Sequence, residues 1–226
     1  MRAWGVDGYR RGWIAVWIDP DGGRGFELFP DATPLAALSA ALVMIDIPIG
    51  LPESDYRGCD LAARKLLGKA RSRVFLGLRR PLLRHLGDYA AANAWAKTDG
   101  KGLAKQSFAI LPKIAEIDAI VLPERQRRLR EAHPELVFAR WNGGTALPSK
   151  HTPEGLAARR GHLGRRGFDD LDLWLEKLQR SGAKPDDLYD ACALAAAASE
   201  AMQGHARRVK CPETRDARGL RMDIWF

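Results

Sequence analysis

WGVDGYRRGWIAVWIDPDGG, residues 4–23, decides how the chain begins to fold. Apolar and polar residues alternate on both sides of a glycine-flanked turn, the pattern of strands with two different faces. The stretch reads as a strand over Ala3–Asp7, a turn through Gly8–Gly12 and a second strand over Trp13–Ile18. Pro20-Asp21-Gly22-Gly23 is a hairpin turn signal, and Gly25–Phe29 is a third strand. The chain therefore opens as an antiparallel three-strand meander.

Beyond the meander, Asp31 is placed to cap a short helical segment over Ala32–Ala40. Ala41–Ile47 is continuously apolar but for Asp46, which suggests a strand covered on both faces. Strand, helix, strand at this spacing implies a right-handed crossover and a parallel neighbour. MIDIPIG, residues 44–50, thus puts a carboxylate into an apolar strand, which is costly unless it is paired or holds a cation.

Residues 55–130 are helical in character and basic, with breaks near Gly77, Pro81, Gly100, Gly102, Pro112 and Pro123. Arg125–Ala132 finishes a helix, and Leu136–Trp141 is a last strand. Pro153–Gly161 and Asp169–Gln179 are helices. DDLYDACALAAAASEAM then forms a long helix ending near Gly204, alanine-rich enough to approach a sheet closely. The expectation is one α/β domain over residues 1–226: a mixed sheet flanked by helices, with 55–130 as a basic helical insertion.

The 226 residues suffice for one substantial core. No apolar run approaches the roughly 20 residues that span a bilayer, and MRAWGVDGYRRGW has no signal-peptide core. A cytoplasmic protein with no membrane association is expected. Cys59, Cys192 and Cys211 are odd in number and never in C-x-x-C spacing, which argues against a disulfide framework or a zinc cluster. The net charge of +8 comes from arginine-rich segments such as RKLLGKARSR and ERQRRLR. Guanidinium forks match phosphate oxygens, so nucleic acid is the natural partner.

Carboxylates recur where a bland reading prefers other residues. Asp7 ends the first strand, Asp46 lies in the apolar strand, and Glu135 stands beside His133 where the chain enters the last strand. Asp186, Asp187 and Asp190 begin the last helix. Turn formation explains Asp7 or Asp46 alone, a polar strand start explains His133 and Glu135, and helix capping explains Asp186 and Asp187. Asp190 is too deep for a cap. The meander and its parallel neighbour can set Asp7 beside Asp46, and a helix on that sheet can bring Asp187 and Asp190 to the same point. Clustered carboxylates repel and call for a cation, and oxygen ligands suit Mg²⁺ or Mn²⁺.

GVDGYRRGW, MIDIPIGLP, R-x-C-D-x-A-A-R (Arg57–Arg64), LG-x-x-RSRVF (Leu67–Phe75), GKGLAKQSFAILPKIAEID (Gly100–Asp118), EAHPELVFA and DDLYDACALAAA together resemble the domain of unknown function 429 family. That family is described as predicted nucleases of the ribonuclease H-like fold, distantly similar to RuvC-type resolvases. The resemblance implies acids on the first strand, the fourth strand and the last helix, matched here by Asp7, Asp46, Asp187 and Asp190. It implies Mg²⁺ or Mn²⁺, with Asp7 bridging the metals, and metal-assisted hydrolysis of phosphodiester bonds in DNA or RNA. Arg10, Arg11, Arg57, Arg64, Arg71, Arg73, Lys101 and Lys113 are then the phosphate-binding candidates. His133 and Glu135 act as a base pair of residues or as pocket wall, and a homodimer is the implied assembly. RSRVF, GKGLAKQ and EAHPE point to a specific pocket rather than an open groove. Two alternatives stand beside the nuclease: an enzyme on a small phosphorylated or nucleotide ligand, and a non-catalytic nucleic-acid-binding module.

Overall fold

β1 (Ala3–Tyr9) lies at the middle of a five-stranded sheet in a computed structural model that describes residues 1–40 and 42–226. β2 (Gly12–Ile18) and β3 (Arg24–Phe29) follow it on one side as the antiparallel meander. β4 (Leu42–Ile45) and β5 (Leu129–Glu131) lie parallel to it on the other. The order β3-β2-β1-β4-β5 makes a mixed, open sheet. With helices on both faces, this is an α/β fold consistent with the ribonuclease H-like class.

The helices are α1 (Gly58–Leu67), α2 (Tyr89–Thr98), α3 (Lys105–Ala109), α4 (Leu111–Ile120), α5 (Pro134–Trp141), α6 (Pro153–Gly164), α7 (Leu171–Leu178) and α8 (Pro185–Met202). Strand alternation assigns them to faces. Trp4, Val6, Trp13, Ala15, Val43 and Ile45 share a core with residues of α2 and α4. Ala3, Tyr9, Ile14, Val16, Leu42 and Met44 share the other core with α5 to α8. Asp7 is in step with Ala3 and pairs in register with Ile14, so it belongs to the α8 face.

α8 crosses that face with Leu188 to Ala198 all buried. A Cβ on Gly5 would stand 2.0 Å from the Ala195 nitrogen and 2.1 Å from the Ala191 oxygen. Only a glycine in β1 and alanines in α8 permit such an approach. The close contact brings the first turns of α8 to the strand ends.

Three readings from sequence are corrected. Leu136–Trp141 is not a strand but part of α5, started by Pro134 at its first turn and capped by His133. Leu136, Val137, Phe138 and Ala139 are all buried, and four consecutive apolar residues read as a strand as readily as a helix. Arg125–Ala132 does not finish a helix: a 3₁₀ turn over Arg125–Arg127 gives way to β5. Its charged sequence, Leu-Arg-Glu, hid that strand. β1 also runs two residues past Asp7 to Tyr9, because Gly8 and Tyr9 still pair with Trp13 and Gly12.

The segment after Asp31 is a 3₁₀ helix over Thr33–Ala40. Ala41, where the sequence begins the next strand, lies outside the described residues. Among the described residues no helix is long and apolar enough to cross a membrane.

Candidate active site

The C-terminal ends of β1 and β4 and the N-terminal end of α8 meet at one point. Asp7 Oδ1 accepts the Gly8 N–H at 2.8 Å, which fixes the carboxylate against its own backbone. Asp46 is the first residue beyond β4, and its N–H still donates to the Val6 carbonyl at 3.0 Å, continuing the parallel pairing. Asp187 Oδ2 accepts the Lys184 N–H at 2.7 Å in a capping box, so one of its oxygens serves the helix start. Asp190 is only 1% exposed. Its Oδ2 accepts from Lys150 Nζ at 2.6 Å, and its Oδ1 is buried without a partner. Lys150 Nζ also lies 3.4 Å from Asp186 Oδ2.

These four aspartates line a cavity of about 450 Å³. Asp60, Glu131 and Glu135 line it too, against the cations Arg73, Lys113 and Lys150. The cavity is therefore acidic inside a basic chain. Val74, Phe75, Ile110 and Ile224 form an apolar part of its wall.

EAHPE, residues 131–135, anchors the far wall. Glu131 Oε2 accepts from Arg57 Nη2 at 2.5 Å and from the Ile49 N–H at 2.7 Å. Glu135 accepts from Arg73 at 2.7 Å and from Arg159 at 2.6 Å. Arg73 also donates to the Leu147 carbonyl and Arg159 to the Pro148 carbonyl, each at 2.9 Å. Two motifs distant in sequence, RSRVF and EAHPE, thus clasp each other and fasten the loop that carries Lys150. Gly155 completes the fastening, since a Cβ there would stand 1.9 Å from the Ser149 oxygen. His133 Nδ1 accepts the Glu135 N–H at 3.3 Å, and Nε2 faces the Arg73 carbonyl at 3.3 Å. A proton on Nε2 satisfies both bonds.

Burial governs the electrostatics. It pushes the Asp7 carboxyl well above the usual carboxylate range, and the charges of Asp46 and Asp190 add to the effect. Asp190 is pushed up to about 7 by burial, against the opposing pull of Lys150. Burial likewise raises Asp46, Asp187 and Asp60. Glu131 rises to about 8 from burial, despite Arg57. For Lys150, burial favours the neutral amine, but Asp190 and Asp7 more than reverse this and hold it charged.

The sequence candidates divide cleanly. Asp7, Asp46, Asp187, Asp190, His133, Glu135, Arg73 and Lys113 line the cavity. Arg57 is fully buried on Glu131, and Arg64 donates to the Val74 carbonyl at 2.8 Å. Lys101 pairs with Asp55 at 3.1 Å. Arg10, Arg11 and Arg71 are exposed and do not line the cavity. Lys150, Asp60, Glu131 and Arg159 were missed. Asp60 follows Arg57 by one helical step, and Glu131 is the first acid of EAHPE. Lys150 carried only the weak signal of a lysine in a proline-bounded loop.

The donor chemistry, hard carboxylate oxygens with Asp190 Oδ1 spare, fits a divalent cation such as Mg²⁺. Among the described residues, no group of three or more His, Cys, Asp or Glu side chains is arranged to hold a metal ion as it stands. A hydrated Mg²⁺ needs only one or two carboxylates.

No curated protein and no solved structure matches the chain. A protein-family model matches residues 5–215, a span that contains every carboxylate lining the cavity. On that match the chain belongs to the family described as Protein of unknown function (DUF429).

Proposed function

We propose that the protein is a metal-dependent hydrolase of phosphodiester bonds in DNA or RNA, a nuclease. The observation that carries this reading is the convergence of Asp7, Asp46, Asp187 and Asp190 on one cavity, with Asp190 Oδ1 buried and unpartnered. Asp7, Asp46 and Asp190 would hold Mg²⁺ or Mn²⁺, and Asp187 would lend the oxygen that its cap leaves free. A divalent ion so bound supplies water activation and stabilisation of the leaving oxygen. The strand ends keep the carboxylates rigid, as such chemistry demands. Glu135, taken by two arginines, and His133, bonded at both nitrogens, shape the wall rather than act as free bases. Lys113 on the cavity wall pairs with Glu116 at 3.2 Å and would have to turn from it to meet a phosphate oxygen. Nucleic acid is the partner in this reading, a homodimer the assembly and the cytoplasm the location.

A second reading keeps the acids and changes the substrate to a small phosphorylated or nucleotide ligand. The size of the cavity favours it, since about 450 Å³ lies in the range of small-molecule pockets. A polymer would reach the same aspartates through one extruded or terminal nucleotide. A non-catalytic nucleic-acid module is disfavoured, because buried aspartates with too few counter-ions cost stability and repel a polyanion.

Calorimetric titration of Mn²⁺ into wild type and Asp46→Asn tests the proposal, with cleavage assays on branched, duplex and single-stranded DNA and RNA. Saturable binding and metal-dependent cleavage, both lost in the variant, support the nuclease. Metal binding without cleavage of any polymer selects the small-ligand enzyme. No metal binding in either protein removes both.

A further inference from the structure

Lys150 is the one cation bonded directly to the aspartates of α8 among the described residues. Its Nζ lies 2.6 Å from Asp190 Oδ2 and 3.4 Å from Asp186 Oδ2. The Lys150 side chain is still 28% exposed, so its four-carbon stem has room to swing without unfolding anything. The backbone beneath it does not share that freedom. Arg73 and Arg159 hold Leu147 and Pro148, and Thr152 caps α6 through its bond from the Gly155 N–H at 3.2 Å. The loop thus presents a partly exposed ammonium on a long stem from a fixed base. Asp190 offers one oxygen to that ammonium and keeps the other bare.

We infer that Lys150 is a tethered counter-ion that competes with the divalent cation for Asp190 and swings away when the ion enters. A divalent ion on Asp190 Oδ1 would stand a few ångströms from the ammonium on Oδ2, and like charges at that distance in a half-dry site repel, so each weakens the other's hold on the carboxylate. Lys150 therefore neutralises the site in the metal-free protein and weakens its grip on metal. It is a positioning residue for Asp190, and no sequence motif marked it. The inference rests on the metal-site reading above and adds the regulation of that site.

The test is Mn²⁺ titration by calorimetry into chelator-treated, full-length wild type, Lys150→Met, Lys150→Arg and Lys177→Met. Lys177, exposed on α7, controls for net charge. Lys150→Met should bind Mn²⁺ at least tenfold more tightly than wild type, while the other two variants stay within twofold. Chelated Lys150→Met should also melt below wild type and recover with Mn²⁺. Equal or weaker binding by Lys150→Met, with wild type still binding, overturns the inference and leaves the metal site standing. Binding by neither overturns both. Binding by Lys150→Met alone supports the inference in its strongest form. If Lys150→Met does not fold without metal, the double variant Lys150→Met/Asp190→Asn serves, and it should fold in chelator and ignore Mn²⁺. Tight Mn²⁺ binding by that double variant would show that Asp190 is not the contested ligand, and the inference would fall.

Discussion

The cavity's glutamates and the four aspartates at its strand and helix ends are answered by charge in opposite ways. Glu131 and Glu135 face three arginines, Arg57, Arg73 and Arg159, at 2.5 to 2.7 Å. Asp7, Asp46, Asp187 and Asp190 have one lysine among them at contact distance, and it bonds only Asp190. The glutamates line the cavity but are matched by arginines of the scaffold. The aspartates are undermatched and face the cavity. Matched acids build the wall, and in the metal-dependent reading undermatched acids would take a cation, so the same side-chain chemistry would do two jobs according to its counter-ions.

The sharpest way to break this contrast is to unmatch a glutamate. Arg159→Ala removes a guanidinium that is 0% exposed and leaves Glu135 half-paired in the interior. Breaking a buried pair in this way costs about 3–5 kcal/mol, readable as a lowered urea midpoint. A loss near zero would mean that Glu135 is no more architectural than the aspartates. Next in size is Gly5→Val. Its side chain meets α8 backbone atoms about 2 Å away, contacts that no rotamer relieves. Overpacking of this kind costs about 3 kcal/mol, and here it should also move Asp190 and weaken Mn²⁺ binding. Destabilisation with unchanged Mn²⁺ affinity would uncouple the seat of α8 from the site.

Legibility in the sequence followed the same division. The meander, the parallel strand and the alanine-rich helix could be read because each element has two distinct faces, or a composition that only close packing explains. Asp7, Asp46 and Asp190 stood out because a charge in an apolar strand or deep in a helix has no bland account. The matched acids did not stand out. Glu131 looked like one more charge in RLREAH, although it sits 6% exposed in β5, and Arg57 looked like a phosphate ligand although it is buried beneath it. A buried charge answered by another charge leaves no trace in hydropathy. α5 failed for another reason, since its run of four buried apolar residues reads as a strand as readily as a helix.

The aspartate side of the contrast predicts a pH effect. Burial raises the Asp190 carboxyl to about 7, so the native protein keeps a proton that the unfolded chain releases near pH 4. The contribution to stability is complete below that lower value and disappears as pH rises through about 7. In chelator the denaturation midpoint should fall between pH 5 and pH 8, by an amount equivalent to about 1 kcal/mol or more. Asp190→Asn should flatten this slope only in part, because Glu131, raised to about 8, acts with the same sign. The variant should also lose Mn²⁺ binding without losing stability at pH 8, the mark of a residue kept for function at a structural cost. An unchanged slope would move the titration elsewhere in the cavity.

The smallest effect sharpens the contrast from outside. Arg10 and Arg11 sit exposed in the β1–β2 turn, just past the strand end that carries Asp7. They differ from Arg57 and Arg159 in having no buried acid to serve, so their replacement should alter stability by no more than about 0.5 kcal/mol. Their effect should lie in binding. If a polymer lies across the cavity mouth, each lost phosphate contact lowers the slope of log affinity against log salt by about 1. The double variant Arg10→Ala/Arg11→Ala, titrated with single-stranded DNA at several salt concentrations, would then show a slope shallower by about 2. An unchanged slope would mean that these arginines touch no backbone. The approach to the aspartates would then be through the cavity alone, and the small-ligand reading would take precedence over the polymer.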